Sequence, residues 1–209
     1  MGQDMQLPLK NIVFDLAGVV VARSPLRFPA HLERFFSFVF TTPEGGVPKF
    51  WEDYDRGVRS VDEVAEAVAE YRGCNIETAK ANMLLAVEYQ EEVAPTAELI
   101  RELKERGYRL IVLSNMSPEY IEFLRKKPVY QYFDEEIISC EVKLVKPERE
   151  IYELLLSRYG LNPAETIFID DRKENVDAAA ELGIRPFHFD RSNPEQACAD
   201  LRREILTEK

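Results

Sequence analysis

The stretch Asn11-Ile12-Val13-Phe14-Asp15-Leu16-Ala17-Gly18-Val19-Val20-Val21 decides the fold. A short apolar run carries one carboxylate, Asp15, to its end, and Gly18 then lets the backbone turn away. Such a run, without polar alternation, is the pattern of a strand buried on both faces, as in a parallel sheet covered by helices. An unpaired charge inside that strand would be costly, so Asp15 belongs at its exposed carboxyl end. In open α/β sheets that end is where ligands bind. Taken alone, the stretch fits a turn or helix-capping aspartate equally well.

Downstream, helix and strand patterns alternate. A helix over 95–106 opens on Pro95 and ends at Gly107; a β-rich run over 108–113 ends in Ser114-Asn115. A helix over 117–126, a short strand over 136–139 and a polar loop to Lys146-Pro147 follow. A helix over 148–159 stops at Gly160, and a strand over 166–169 delivers Asp170-Asp171. A helix over 175–182 closes at Gly183, and a final strand over 185–189 precedes a terminal helix whose charged end, from Asp200, reads as a solvated face. This alternation predicts an α/β fold, a doubly wound, Rossmann-like parallel sheet with right-handed crossovers.

Between the first strand and this series the pattern is different. Residues 22–30, with Pro25 and Pro29, read as a connector. Helices follow over 31–40, over 61–71 behind the capping box Ser60-Val61-Asp62-Glu63, and over 76–89, with a loop over 41–49. The expected organisation is a core of residues 1–22 and 92–209 with a small helical cap, 23–91, inserted after the first strand. Phe35, Phe36, Phe38, Phe40, Phe50 and Trp51 are the expected core of that cap.

The chain of 209 residues is long enough for one large domain with such an insert. Its formal charge of −11 argues against nucleic acid and against an anionic membrane surface as partners. Cys74, Cys140 and Cys198 are widely spaced and odd in number, so they read as free thiols in a reducing compartment. No apolar run approaches the ~18 residues of a membrane span, and no signal-peptide pattern opens the chain. The expected setting is the cytoplasm, with the chain a monomer or weak homodimer.

Polar residues now recur at predicted strand ends: Asp15, Ser114-Asn115 and Asp170-Asp171, with Lys146 in the loop between. An aspartate can attack phosphorus and form an acyl-phosphate, splitting one hard transfer into two steps. Carboxylates held together call for a cation, and oxygen ligands without histidine or thiolate favour Mg²⁺. Serine, asparagine and lysine can hold phosphoryl oxygens and offset charge. Individually, Asp170-Asp171 fits a helix-cap pair and Lys146 a solvated surface lysine.

Together these residues resemble the four motifs of the haloacid dehalogenase superfamily: Phe-Asp-Leu-x-Gly-Val-Val at Asp15, Val-Leu-Ser-Asn at Ser114-Asn115, Lys-Pro-Glu at Lys146, and Phe-Ile-Asp-Asp-Arg-Lys-Glu-Asn-Val at Asp170-Asp171. The resemblance implies a Mg²⁺-dependent phosphatase acting on a small phosphorylated metabolite, with Asp15 as nucleophile. It implies the Ala17 carbonyl, Asp15 and Asp171, with Asp170 beside it, as the Mg²⁺ site, and Asn175 as a partner near the metal. It further implies Ser114 and Asn115 on the phosphoryl group, and Lys146 joining nucleophile and phosphate.

The sequence departs from the phosphatase pattern at Ala17, where an acid–base aspartate usually stands. Positioned acid–base catalysis is worth roughly 10²–10⁴ in rate. Dehalogenase members also lack this aspartate, but without the paired aspartates of the fourth motif. A branch similar to α-D-glucose 1-phosphate phosphatases has a small residue there and keeps the pair; Tyr54-Asp55-Arg56-Gly57 with Ser60 also resembles its cap segment. The sugar-phosphate phosphatase is therefore the leading expectation, beside a 2-haloacid dehalogenase and a non-catalytic phosphometabolite-binding protein. Arg23, Arg27, His31, Asp55 and Arg56 are the substrate-facing candidates on the cap side, each as readily a surface charge.

Overall fold

The computed structural model describes residues 7–24, 26–39 and 47–206. The apolar run forms β1 (Asn11–Phe14), buried at every position. β2 (Val21–Arg23) follows at once, then α1 (Ala30–Phe35), α2 (Lys49–Asp55), α3 (Val61–Arg72) and α4 (Ile76–Glu88). β3 (Gln90–Glu92) returns the chain antiparallel to β2. Beyond it the chain alternates: α5 (Ala94–Glu105), β4 (Arg109–Ser114), α6 (Pro118–Leu124), β5 (Glu135–Ile138), α7 (Ser139–Val142), α8 (Arg149–Tyr159), β6 (Thr166–Asp170), α9 (Lys173–Ala180), β7 (Arg185–His188) and α10 (Pro194–Leu206).

The five-stranded sheet has the order β5-β4-β1-β6-β7, with all pairings parallel. The chain winds outward from β1 through β4 to β5, then crosses back to β6 on the other side. That reversal opens a crevice at the carboxyl ends of the central strands. Phe14 aligns with Val112 and with Ile169, so Asp15 comes level with the ends of both neighbouring strands. The Asp15 N–H still donates to the Ile169 carbonyl at 2.9 Å, which fixes its backbone to the sheet.

Both sheet faces are covered, which is why the strands read as unbroken apolar runs. Ile12, Phe14, Leu110, Val112 and Ile167 pack with Leu99, Leu103, Ile121 and Leu201 of α5, α6 and α10. Val13, Ile111, Leu113 and Phe168 pack with Ile151, Tyr152, Leu155 and Val176 of α8 and α9. No helix of the described residues is long and apolar enough to cross a membrane.

The helices α1–α4 have their own aromatic centre. Phe36 lies 5.8 Å and Phe38 5.6 Å from Trp51, ring centre to ring centre and edge on, with Leu32, Val64, Val68 and Met83 around them. α3 opens on its capping box, the Ser60 N–H donating to Glu63 at 2.8 Å and the Glu63 N–H to Ser60 Oγ at 3.3 Å. The helix expected over 31–40 stops at Phe35 and continues as a 3₁₀ turn, Ser37–Val39. Phe35, Phe36 and Phe38 cannot share one α-helical face, and the tighter turn turns Phe36 and Phe38 to the same centre. Pro25, Phe40 and the loop over 41–46 lie outside the described residues. The β2–β3 ribbon takes the start of the expected connector and the residues just after the expected helix over 76–89; strands this short leave no readable period. Likewise α7 occupies part of the expected polar loop.

Phe36 is fully buried. Phe36→Ala is expected to cost about 3–5 kcal/mol, measured as a drop in denaturant midpoint.

Candidate active site

The central strands deliver their polar residues to one point. Lys146, 5% exposed, donates from Nζ to Asp15 Oδ1 at 2.9 Å, Asp170 Oδ2 at 2.6 Å and the Leu113 carbonyl at 3.0 Å. All three ammonium hydrogens are thereby directed. Ser114 Oγ donates to the same Asp15 Oδ1 at 2.8 Å. Asn115 holds the lysine loop: its Nδ2 donates to the Lys146 carbonyl at 2.9 Å and its Oδ1 accepts the Lys146 N–H at 2.8 Å. The Lys146–Pro147 peptide is cis.

Asp170 is anchored from every side, accepting Lys146, the Arg172 N–H at 2.8 Å and Asn175 Nδ2 at 3.0 Å. Asn175 is held in turn, its carbonyl accepting the Tyr152 hydroxyl at 2.9 Å. Asp171 is placed more openly, with Arg191 at 3.0 Å on Oδ2. Gly18 makes this approach possible. Its φ is +87°, and a Cβ there would lie 2.7 Å from Asp171 Oδ2. Ala17, the residue before it, is exposed at the mouth of the site.

Asp15, Asp170 and Asp171 offer oxygens within 4.8 Å of one another. Lys146 is the one buried cation among them in the described residues. Burial first, then Asp170 and Asp171, push the Asp15 carboxyl up to about 7, although Lys146 pulls it down. Burial and Asp170 raise Asp171 as well, against Arg191, Lys146 and Arg172. Burial lowers Lys146, but Asp15 and Asp170 outweigh it and hold the ammonium charged. Three clustered carboxylates share the Lys146 ammonium inside and Arg191 at the edge. An all-oxygen donor set of this kind fits a hard divalent cation such as Mg²⁺.

The helical layer reaches this crevice through the end of α2. Asp55 is half-buried there, under the influence of Arg172, Asp15 and the Ser117 main chain. Arg56 is bound to Glu148 and Glu52 and does not face the crevice. Arg23 packs its guanidinium 4.8 Å from the centre of the Phe28 ring, within the electrostatic reach of Tyr120 and Arg191. Arg27 pairs with Glu91 at the surface, and His31 is exposed. Tyr120 and Arg191 carry no sequence signal; only the fold brings them toward Asp55 and Asp171.

The haloacid dehalogenase-like hydrolase family matches residues 9–183, the sheet's central strands and the inserted helices included. The chain belongs to the haloacid dehalogenase-like hydrolases. It is similar to the sesquiterpene phosphatase astK of Aspergillus oryzae, 25% identical, covering 94% of this chain and 96% of that protein. It is equally similar to the D-ribitol-5-phosphate phosphatase of Bacteroides thetaiotaomicron, at 25% identity over 94% and 97%. A HAD family enzyme of the same bacterium, solved in complex with magnesium and inorganic phosphate, has a TM-score of 0.68 to it. That structure is 25% identical and covers 88% of this chain and 95% of its own.

A carboxylate raised on folding favours the native state while protonated and ceases to do so as pH rises through its native value. For Asp15 the window runs from 3.8 to about 7. In chelator, melting temperatures measured from pH 5 to pH 8 are expected to fall further for the natural chain than for Asp15→Asn. Gly18→Ala is expected to lose about 1–2 kcal/mol from its backbone conformation alone, measured by chemical denaturation, and to displace Asp171.

Proposed function

We propose that the chain is a Mg²⁺-dependent phosphatase of small phosphate monoesters, acting through an aspartyl-phosphate on Asp15. The observation that carries this reading is the placement of Asp15 at the end of β1, bonded to Ser114 and Lys146 beside the Asp170-Asp171 pair. Two phosphatases among its relatives, and a family structure holding magnesium and phosphate, support it.

In this reading Asp15 and Asp171, with the Ala17 carbonyl, hold Mg²⁺, and Asp170 stands behind them as the anchor of Lys146. Mg²⁺ bound there offsets the negative charge of the nucleophile and of the phosphoryl group. Lys146 favours the ionised form of Asp15 and orients it, with its ammonium beside the attacking carboxylate. Ser114 Oγ, now on Asp15, is at the distance where it can also meet a phosphoryl oxygen. Asn115 fixes the Lys146 loop and presents its remaining N–H to the same group. The attack of Asp15 on phosphorus expels the ester oxygen, and water then releases phosphate from the aspartyl-phosphate.

A phosphorylated sugar or polyol is the substrate class we favour. Tyr120 lies within electrostatic reach of both Arg23 and Asp55, polar groups suited to a substrate's hydroxyls. The paired aspartates weigh against a haloacid substrate, whose halide departs without a metal. We place the enzyme in the cytoplasm, consistent with its free thiols.

The test is phosphate release from p-nitrophenyl phosphate, glucose 1-phosphate, glucose 6-phosphate and ribitol 5-phosphate, with and without Mg²⁺. Turnover that requires Mg²⁺ and disappears in Asp15→Asn is expected. A folded chain that binds Mg²⁺ and phosphate yet releases none would instead be a binding protein. Chloride release from 2-chloropropionate would establish the dehalogenase.

A further inference from the structure

The proposed phosphatase lacks one group. An alkyl phosphate expels a strongly basic oxygen that needs a proton, and Ala17 has none to give. A carboxyl outside the Asp15, Asp170 and Asp171 cluster comes from the other layer of the molecule. Asp55 ends α2 and lies between the loops after β4 and β6, where the Ser117 main chain, Arg172 and Asp15 itself act on it.

Its position is fixed from both sides in sequence and from three points on the core. Ser139 Oγ donates to the Asp55 carbonyl. The Arg56 guanidinium forks onto Glu148 at 2.9 and 2.7 Å, and Glu148 also accepts the Val145 N–H at 3.1 Å, next to Lys146. Lys143 Nζ donates to the carbonyls of Gly57 and Cys140. Gly57, at φ +71°, lies so close to Cys140 that any Cβ would strike its carbonyl. Helix α2 could be capped by far less. These contacts tie one turn of the helical layer to the loop that carries Lys146, and Asp55 is the carboxyl-bearing residue of that turn.

We propose that Asp55 is the acid and base that Ala17 does not supply, a proposal that rests on the phosphatase reading above. As an Asp15 oxygen bonds to phosphorus, the bond from phosphorus to the ester oxygen breaks. Its electron pair goes to that oxygen, which takes the Asp55 proton and leaves as an alcohol. Asp55, now a carboxylate, accepts a proton from water while the water oxygen bonds to phosphorus. The bond to Asp15 breaks, its electrons return to the Asp15 carboxylate, and inorganic phosphate leaves with Asp55 protonated again. Burial first, then Asp15 and Glu52, hold the Asp55 carboxyl well above the usual range against Arg172 and Ser117, which favours the protonated starting form.

The experiment is rapid-quench kinetics of Asp55→Asn with Mg²⁺. It uses p-nitrophenyl phosphate, whose leaving group needs no proton, beside whichever alkyl phosphate of the panel the natural chain hydrolyses fastest. Turnover of the alkyl ester is expected to fall about 10²–10⁴-fold. The aryl ester is expected to keep a burst of p-nitrophenol near the natural rate. Phosphorylated protein should then accumulate, seen by intact mass, because the second step has lost its base. A melting temperature matching the natural chain shows that the variant folds, and the aryl burst checks the site itself. Equal slowing of the first, ester-cleaving step for both esters, slowing of that step for neither, or a natural chain that cleaves only the aryl ester overturns the proposal. A natural chain without any phosphate release overturns the phosphatase reading, and the Asp55 role with it.

Discussion

The Lys146 ammonium, sealed between Asp15, Asp170 and the Leu113 carbonyl, is the interaction on which the site depends. Two carboxylates this close would repel and neutralise themselves without a cation between them. Removing one partner from a buried pair commonly costs about 3–5 kcal/mol, because the other is left unpaired and dry. The sheet therefore has to bring three strand ends and one loop into register before the pair can form. Asn115 meets that requirement for the loop by taking both the N–H and the carbonyl of Lys146. Leu113 and Ser114 meet it for β4 with a carbonyl and a hydroxyl, each a bond length from the charged centre.

That arrangement concentrates three carboxylates at one point. Asp170 is saturated by Lys146, Arg172 and Asn175, whereas Asp171, also largely covered, pairs with the surface arginine Arg191. The difference fits the proposed division of the pair, in which Asp170 anchors Lys146 and Asp171 would hold the cation. Gly18 belongs to the same division, since its missing side chain is the space Asp171 occupies. The family membership and the magnesium and phosphate held by a related structure fit this reading of the charge.

The helical layer is joined to the sheet by charge and by close approach more than by apolar burial. Its aromatic centre around Phe36, Phe38 and Trp51 is separate from the two cores that cover the sheet. Polar contacts cross between them, Arg56 on Glu148, Tyr54 on Glu119, Lys143 and Ser139 on the backbone of 55–57, beside the apolar approach of Leu84 and Val87 to Phe123. Polar contacts of this kind can be remade on opening, which suits a layer that must admit a substrate.

The sequence by itself determined the parallel sheet, because strands buried on both faces have to be unbroken apolar runs and their only tolerable charges sit at the ends. For the same reason Asp15, Ser114 and Asp170-Asp171 were legible, each ending or following such a run, whereas Lys146, in a loop, was legible only through the family resemblance. The β2–β3 ribbon, α7 and the break after Phe35 were not legible, since segments of three or four residues carry no period and are held by their surroundings. Nor did composition separate the two aspartates of the pair, or distinguish Arg56 from Asp55. Those assignments depend on which hydrogen-bond partners and which neighbouring charges arrive from distant parts of the chain. Only the tertiary structure decided them, because a side chain's chemistry is set by its neighbours in space.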